Sequence, residues 1–153
     1  MTDLYEVLLV DGDSRWHAGW AVEEDSDLLL TVNGRVPVFS TRAGLEHLAQ
    51  DRGLDLLDDL PDEVDLDLGG WLPRGTPQPP EAEVSELWHL LLDHPVAGRP
   101  LRGEEIEEAY DDLVEETPGW FDEHGESARR ALSDAVRRLR GVLAPPGGAG
   151  RRR

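Results

Sequence analysis

The chain has 153 residues, with 33 Asp and Glu against 15 arginines, and a formal net charge of −18. It has no cysteine, which excludes disulfide frameworks, thiol catalysis and cysteine-based metal sites. Its 39% apolar share is modest but enough for one domain, or one domain with a helical appendage.

The charge is laid out unevenly. Residues 1–124 carry 31 acids and 7 arginines, a net of −24, and residues 125–153 carry 2 acids and 8 arginines, a net of +6. There is no lysine, and with abundant Ala, Gly, Pro, Leu and Asp this has the look of a high-GC bacterial genome. So negative a body repels nucleic acid and anionic membrane and attracts basic partners from a distance. No apolar run approaches the roughly 20 residues that span a bilayer. Met1–Val10 lacks the basic and long apolar regions of a signal peptide, so the expectation is a cytoplasmic protein.

In chain order, Tyr5–Val10 reads as a short buried strand, followed by a turn at 11–14. Trp16–Val22 alternates, with Trp16, Ala18, Trp20 and Val22 as the expected inner face. Leu28–Val32 and Val36–Phe39 flank Asn33-Gly34, a strong hairpin signal, and Pro37 makes the later strand an edge. Ser40 or Thr41 caps a helix that ends near Arg52, with Gly53 at its C-terminal stop. In 54–68 leucines and aspartates intermix, with an edge strand expected at 64–68. A Pro-rich connector, 73–80, separates a strand-rich acidic region (1–72) from a helical region (81–144) and a mobile Arg-ended tail (145–153). The helices are expected at 81–93, 104–116 and 126–143, with Ile106, Ala109, Tyr110, Leu113 and Val114 as the apolar stripe of the second. The fold class is therefore α+β: an N-terminal antiparallel sheet of three to four strands with one helix, then a C-terminal three-helix segment.

Catalytic signatures are missing. There is no GxSxG, P-loop or GxGxxG, and the histidines are scattered. His89 and Asp93 stand at i, i+4 on a helix but supply only two metal ligands, and Asp11-Gly12-Asp13 lacks the rest of a calcium loop. The expectation is a non-enzymatic protein without cofactor or metal.

Two acidic clusters carry the functional reading. Asp55, Asp58, Asp59, Asp62, Glu63, Asp65 and Asp67 place seven acids in thirteen residues without a base. Glu104, Glu108, Asp111, Asp112 and Glu115 line one helix side, opposite the apolar stripe, where like charges at i, i+3 and i+4 cost stability. Such clusters are solvated faces, docking surfaces for a basic protein, or acids neutralised internally. Arg129, Arg130, Arg137, Arg138 and Arg140 on the last helix are placed to do the last of these for the Glu-rich helix. The docking reading takes both clusters as the binding residues for a basic protein partner, with no direct nucleic-acid or membrane contact. Its alternatives are a nucleic-acid mimic that inhibits a DNA-binding protein, and a structural or regulatory protein whose acids only solubilise.

The stretches YEVLLVDG (Tyr5–Gly12), VPVFSTRAGLEHLAQDRGLDL (Val36–Leu56) and VSELWHLLLD (Val84–Asp93) cover about a quarter of the chain. In them the chain resembles small acidic actinobacterial immunity-type proteins of polymorphic toxin systems. That resemblance implies a cytoplasmic neutraliser that binds a toxin domain and has no enzyme activity; on the docking reading the basic partner would be a nuclease-like toxin. It implies no particular functional residues.

Overall fold

In the computed structural model, residues 2–23, 27–91 and 104–145 are described. The chain divides into two compact units, Met1–Val64 with Val142–Arg153, and Asp65–Gly141. The Pro-rich segment 73–80 lies inside the second unit.

The first unit is built on a sheet. Strands β1 (Asp3–Asp11) and β2 (Ser14–Val22) form a long antiparallel hairpin in register from Asp3 opposite Val22 to Asp11 opposite Ser14. Only two residues turn the chain, and Gly12 takes the positive φ of 63° that such a turn needs. Strand β3 (Asp27–Leu29) continues the sheet beyond β2. The Asn33-Gly34 turn forms as expected, with both residues at positive φ and Val32 bridged to Arg35. Strand β4 (Val36–Pro37) then departs from the simple meander and pairs in parallel with a late strand, β7 (Leu143–Ala144). That partner is contributed from more than 100 residues away, a pairing no local pattern announces.

Helix α1 (Arg42–Arg52) has Thr41 at its N-cap and stops at Gly53, whose left-handed φ of 67° lets its N–H reach the carbonyls of Ala49 and Gln50. The chain then adds β5 (Asp55–Leu56) in parallel beside β1, giving the order β3-β2-β1-β5, and β6 (Asp62–Asp65) also pairs with β1. The expected strand at 64–68 thus lies earlier, at 62–65, because the chain after it tightens into a turn at Leu68–Gly70.

Antiparallel partners share a sheet face. Leu4, Glu6 and Leu8 therefore lie with Ala21, Gly19 and His17, and this is the face α1 covers: Leu4, Leu45 and Ala49 form a buried cluster joined by Ala21, Leu30, Phe39, Leu54 and Leu56. A methyl group on Gly19 would meet the Leu4 side chain at 2.8 Å, so any larger residue there displaces Leu4. The opposite face buries Val7, Leu9 and Ala18, while Trp16 and Trp20 are only half-buried. The expected single inner face is thus corrected to two used faces, because α1 covers the side that bears small residues.

The second unit contains the short helix α2 (Trp71–Arg74), then α3 (Glu81–Leu91), α4 (Glu104–Val114) and α5 (Trp120–Val142). Its core is aromatic at the centre: Trp88 and Trp120 are fully buried, 6.3 Å apart in an edge-on arrangement, with Tyr110 and Phe121 against them. Val84, Leu87, Leu113, Ala128, Leu132, Ala135, Val136 and Leu139 fill in around them as the helical spacing predicts. Val114 was expected inside but is 56% exposed, since the last residue of α4 has already turned off the stripe. Helix α5 begins six residues earlier than expected, because Trp120 is drawn into the core and its Nε1 donates to the Ala109 carbonyl at 2.8 Å. No helix among the described residues is long and apolar enough to cross a membrane.

Candidate functional site

The first acidic cluster does not behave as one surface. In the first unit, β5 and β6 are both anchored on β1, and the chain between them runs outward through Leu57-Asp58-Asp59-Leu60-Pro61. Asp55, Asp58, Asp59, Asp62 and Glu63 are exposed. Leu60 lies in the middle of them and is 93% exposed. Its burial elsewhere in the fold would have been favourable, so its position is set by the two flanking strands rather than by side-chain packing. Glu63 meets Arg15 at 3.0 Å, but both side chains stand in solvent, where such a pair contributes little. Asp58 lies 3.8 Å from Arg42 yet is fully exposed.

Asp65 and Asp67 belong to the second unit and serve the backbone and a local pair. The Asp65 carboxylate accepts from the N–H groups of Asp67 and Gly69, at 2.9 and 2.8 Å, and so closes the turn into Leu68–Gly70. Asp67 accepts from Arg140 at 2.6 Å. Of the seven expected residues, the five in 55–63 therefore stand outward, and the last two are engaged within the protein.

Glu108 and Asp111 on α4 and Glu115 in the turn just after it are exposed, and the side chain of Glu104 lies outside the described residues. Asp112 turns inward to His124. The arginines of α5 find acids mostly on their own helix: Arg129 and Arg130 pair with Glu126, Arg137 and Arg138 with Asp134, and Arg140 with Asp67. Arg129 also donates to the Trp71 carbonyl at 2.9 Å. The five arginines of α5 thus all have acid partners among the described residues, but Glu126 and Asp134 are already counted in the +6 of residues 125–153, and Asp67 is the one acid contributed from outside that stretch. Of the expected His89–Asp93 pair, Asp93 lies outside the described residues, as do 146–153 of the tail.

Two polar clusters escaped the sequence. Glu6 is the buried charged side chain among the described residues, 6% exposed. One carboxylate oxygen bonds to Nδ1 of His17 on β2, and the other accepts from Arg42 at 2.7 Å. Arg42 also donates to Glu46 at 3.3 Å and to the Leu57 carbonyl at 3.0 Å. The hydrogen bond and the charge of Glu6, with Glu46 adding to both, raise the Arg42 pKa against the opposing effect of burial. The only hint in the sequence was Glu6 at an inward position of an otherwise apolar strand.

The second cluster joins α4 to α5. His124 Nε2 donates to Asp112 Oδ2 at 2.8 Å and lies 3.9 Å from a Glu123 carboxylate oxygen. The three side chains bring their donor atoms within 4.8 Å of one another. No motif spacing marks it, because Asp112 and His124 stand on different helices.

No protein-family model matches the chain, and no curated protein matches it. Among solved structures it is similar to the crystal structure of the SatS C-terminal domain in complex with bromine, with a TM-score of 0.55. Identity is 13%, and the match covers 93% of each chain. At that identity the likeness is one of fold: the α+β arrangement extends across nearly the whole of both chains.

Proposed function

We propose that this is a non-enzymatic binding protein that docks the segment 55–63 onto a basic protein partner, in the manner of a toxin-neutralising immunity protein. The observation that carries the reading is Leu60, 93% exposed in the middle of the exposed Asp58, Asp59 and Asp62. Carboxylates steer a cationic partner and speed association, and a central apolar side chain supplies the desolvated contact that charges alone do not. The same leucine argues against the nucleic-acid-mimic alternative, since a phosphate ladder offers nothing apolar at that position. The partner this surface fits is a basic protein, such as a nuclease-like toxin, with an apolar pocket ringed by Arg or Lys. Glu108, Asp111 and Glu115 add to the long-range field beside Val114, a smaller apolar side chain that is 56% exposed against the 93% of Leu60.

The test begins with affinity capture from the native host, followed by binding kinetics of the purified partner. The association rate falls steeply between low and physiological salt. Asp58→Asn/Asp59→Asn/Asp62→Asn together lower the association rate, and Leu60→Ala raises the dissociation rate. A partner held equally well by both variants at all salt concentrations overturns the proposal.

A further inference from the structure

We infer that Asp112, Glu123 and His124 form a binding site for a divalent transition-metal ion, Zn2+ being the natural probe. One imidazole nitrogen and two carboxylate oxygens come together from α4 and α5. This donor set suits zinc or cobalt better than calcium or magnesium, which favour oxygen alone. Ligand atoms about 2.1 Å from a tetrahedral zinc stand about 3.4 Å apart. The distances from His124 Nε2, 2.8 Å to Asp112 and 3.9 Å to Glu123, straddle that value. Small side-chain adjustments suffice, and a cation takes the place of the proton that His124 now shares with Asp112. Three protein ligands leave a fourth position for water.

A hydrogen bond between two helices would need only His124 and Asp112. Here the Glu123 carboxylate joins them, in a protein with a net charge of −18, with Glu108 and Asp111 on α4, Glu115 and Glu116 in the turn that follows it, and Asp122 on α5. A divalent ion offsets that crowding of negative charge. The imidazole is held ready: its ring rests against Trp120 at 6.1 Å, and Trp120 is itself fixed by its bond to the Ala109 carbonyl. Asp112 is held by the end of α4, where its own carbonyl accepts from Thr117 N–H at 3.0 Å. His124 is 13% exposed and Glu123 63%, so the ligands are ordered on one side and open to solvent on the other.

The experiment is calorimetric titration of the full chain with Zn2+, with Ca2+ in parallel, and visible absorption of the Co2+ form. One Zn2+ binds per chain, more tightly than Ca2+, and Co2+ gives the bands of a nitrogen-containing site. Glu123→Gln and His124→Asn each weaken Zn2+ by at least about tenfold, since loss of groups that merely support ligands costs 10- to 100-fold. Glu123 is exposed, so its variant keeps the metal-free melting midpoint and remains informative if His124→Asn unfolds. His47→Asn, at the exposed pair with Asp51, leaves Zn2+ binding unchanged. Zn2+ binding that is absent, no tighter than Ca2+, or indifferent to Glu123→Gln overturns the site.

Discussion

Arg42 stands between two groups of acids that the fold treats in opposite ways. On one side its guanidinium reaches Glu6, a carboxylate that is 3% exposed at the side chain and bonded twice. On the other it holds the backbone of Leu57, at the root of a segment whose carboxylates stand in solvent. Glu6 is enclosed because β1 places it under α1, and it is tolerated there because Arg42 and His17 satisfy it. Asp58 and Asp59 are exposed because the chain leaves the sheet between two short strands, and Asp62 is exposed at the start of the second of them. Negative charge in this protein is thus two things, a structural clasp where it is paired and a free surface where it is not. Arg42 connects them, since the contact that neutralises Glu6 also fixes where the free segment begins.

The largest effect expected from this contrast is at Arg42. Arg42→Met leaves Glu6 buried beside His17 alone and releases the Leu57 carbonyl. Because the Arg42 side chain is 28% exposed, the cost is at the low end for a broken buried pair, about 3 kcal/mol in urea unfolding. Glu6→Gln keeps the volume and leaves Arg42 its bonds to Glu46 and Leu57, so its cost is about 1–2 kcal/mol. The reverse order would mean that Glu6, and not Arg42, is the centre of the clasp. Linkage adds a sign: Arg42 has its pKa raised, so its stabilisation is fully present below the ordinary arginine value and is lost only as pH rises through the raised one. This contribution is therefore flat across the neutral range.

Much of this was legible in the sequence, and what was missed has common physical causes. The β1–β2 hairpin, the Asn33-Gly34 turn, α1 with its Gly53 stop, and the cores of α3 and α5 follow from periodicity and turn chemistry, which are local. The β4–β7 pairing and the parallel addition of β5 depend on contacts between distant segments, about which a local pattern is silent. The same holds at the sites. The acidic segment was visible as composition, but its division was not: Asp65 and Asp67 look like their neighbours until a turn and Arg140 engage them. The Asp112–His124 contact needed two helices to meet, and no spacing along one helix predicts that.

A smaller effect on stability separates the two kinds of acid directly. Asp58→Asn/Asp59→Asn/Asp62→Asn removes three exposed charges that repel one another, so the urea midpoint stays or rises slightly, most visibly at low salt. A clear loss of stability would show that these carboxylates hold the fold and would merge the two groups into one.

The smallest stability effect is expected at Leu60, and it is the most telling. Leucine at a buried position such as Leu45, 0% exposed, costs about 2–5 kcal/mol when cut to alanine. At Leu60 almost all of the side chain is already in water, so Leu60→Ala gives up no packing and the urea midpoint does not move. Such a residue is a cost to solubility without a return in folding, and it stands where the chain could have carried another aspartate. If Leu60→Ala leaves stability and partner dissociation both unchanged, the exposed segment is a solvated connection between β5 and β6 and nothing more. If it leaves stability alone and speeds dissociation, the contribution missing from the folded monomer is made in the complex, and the free surface beside Arg42 is the one that binds.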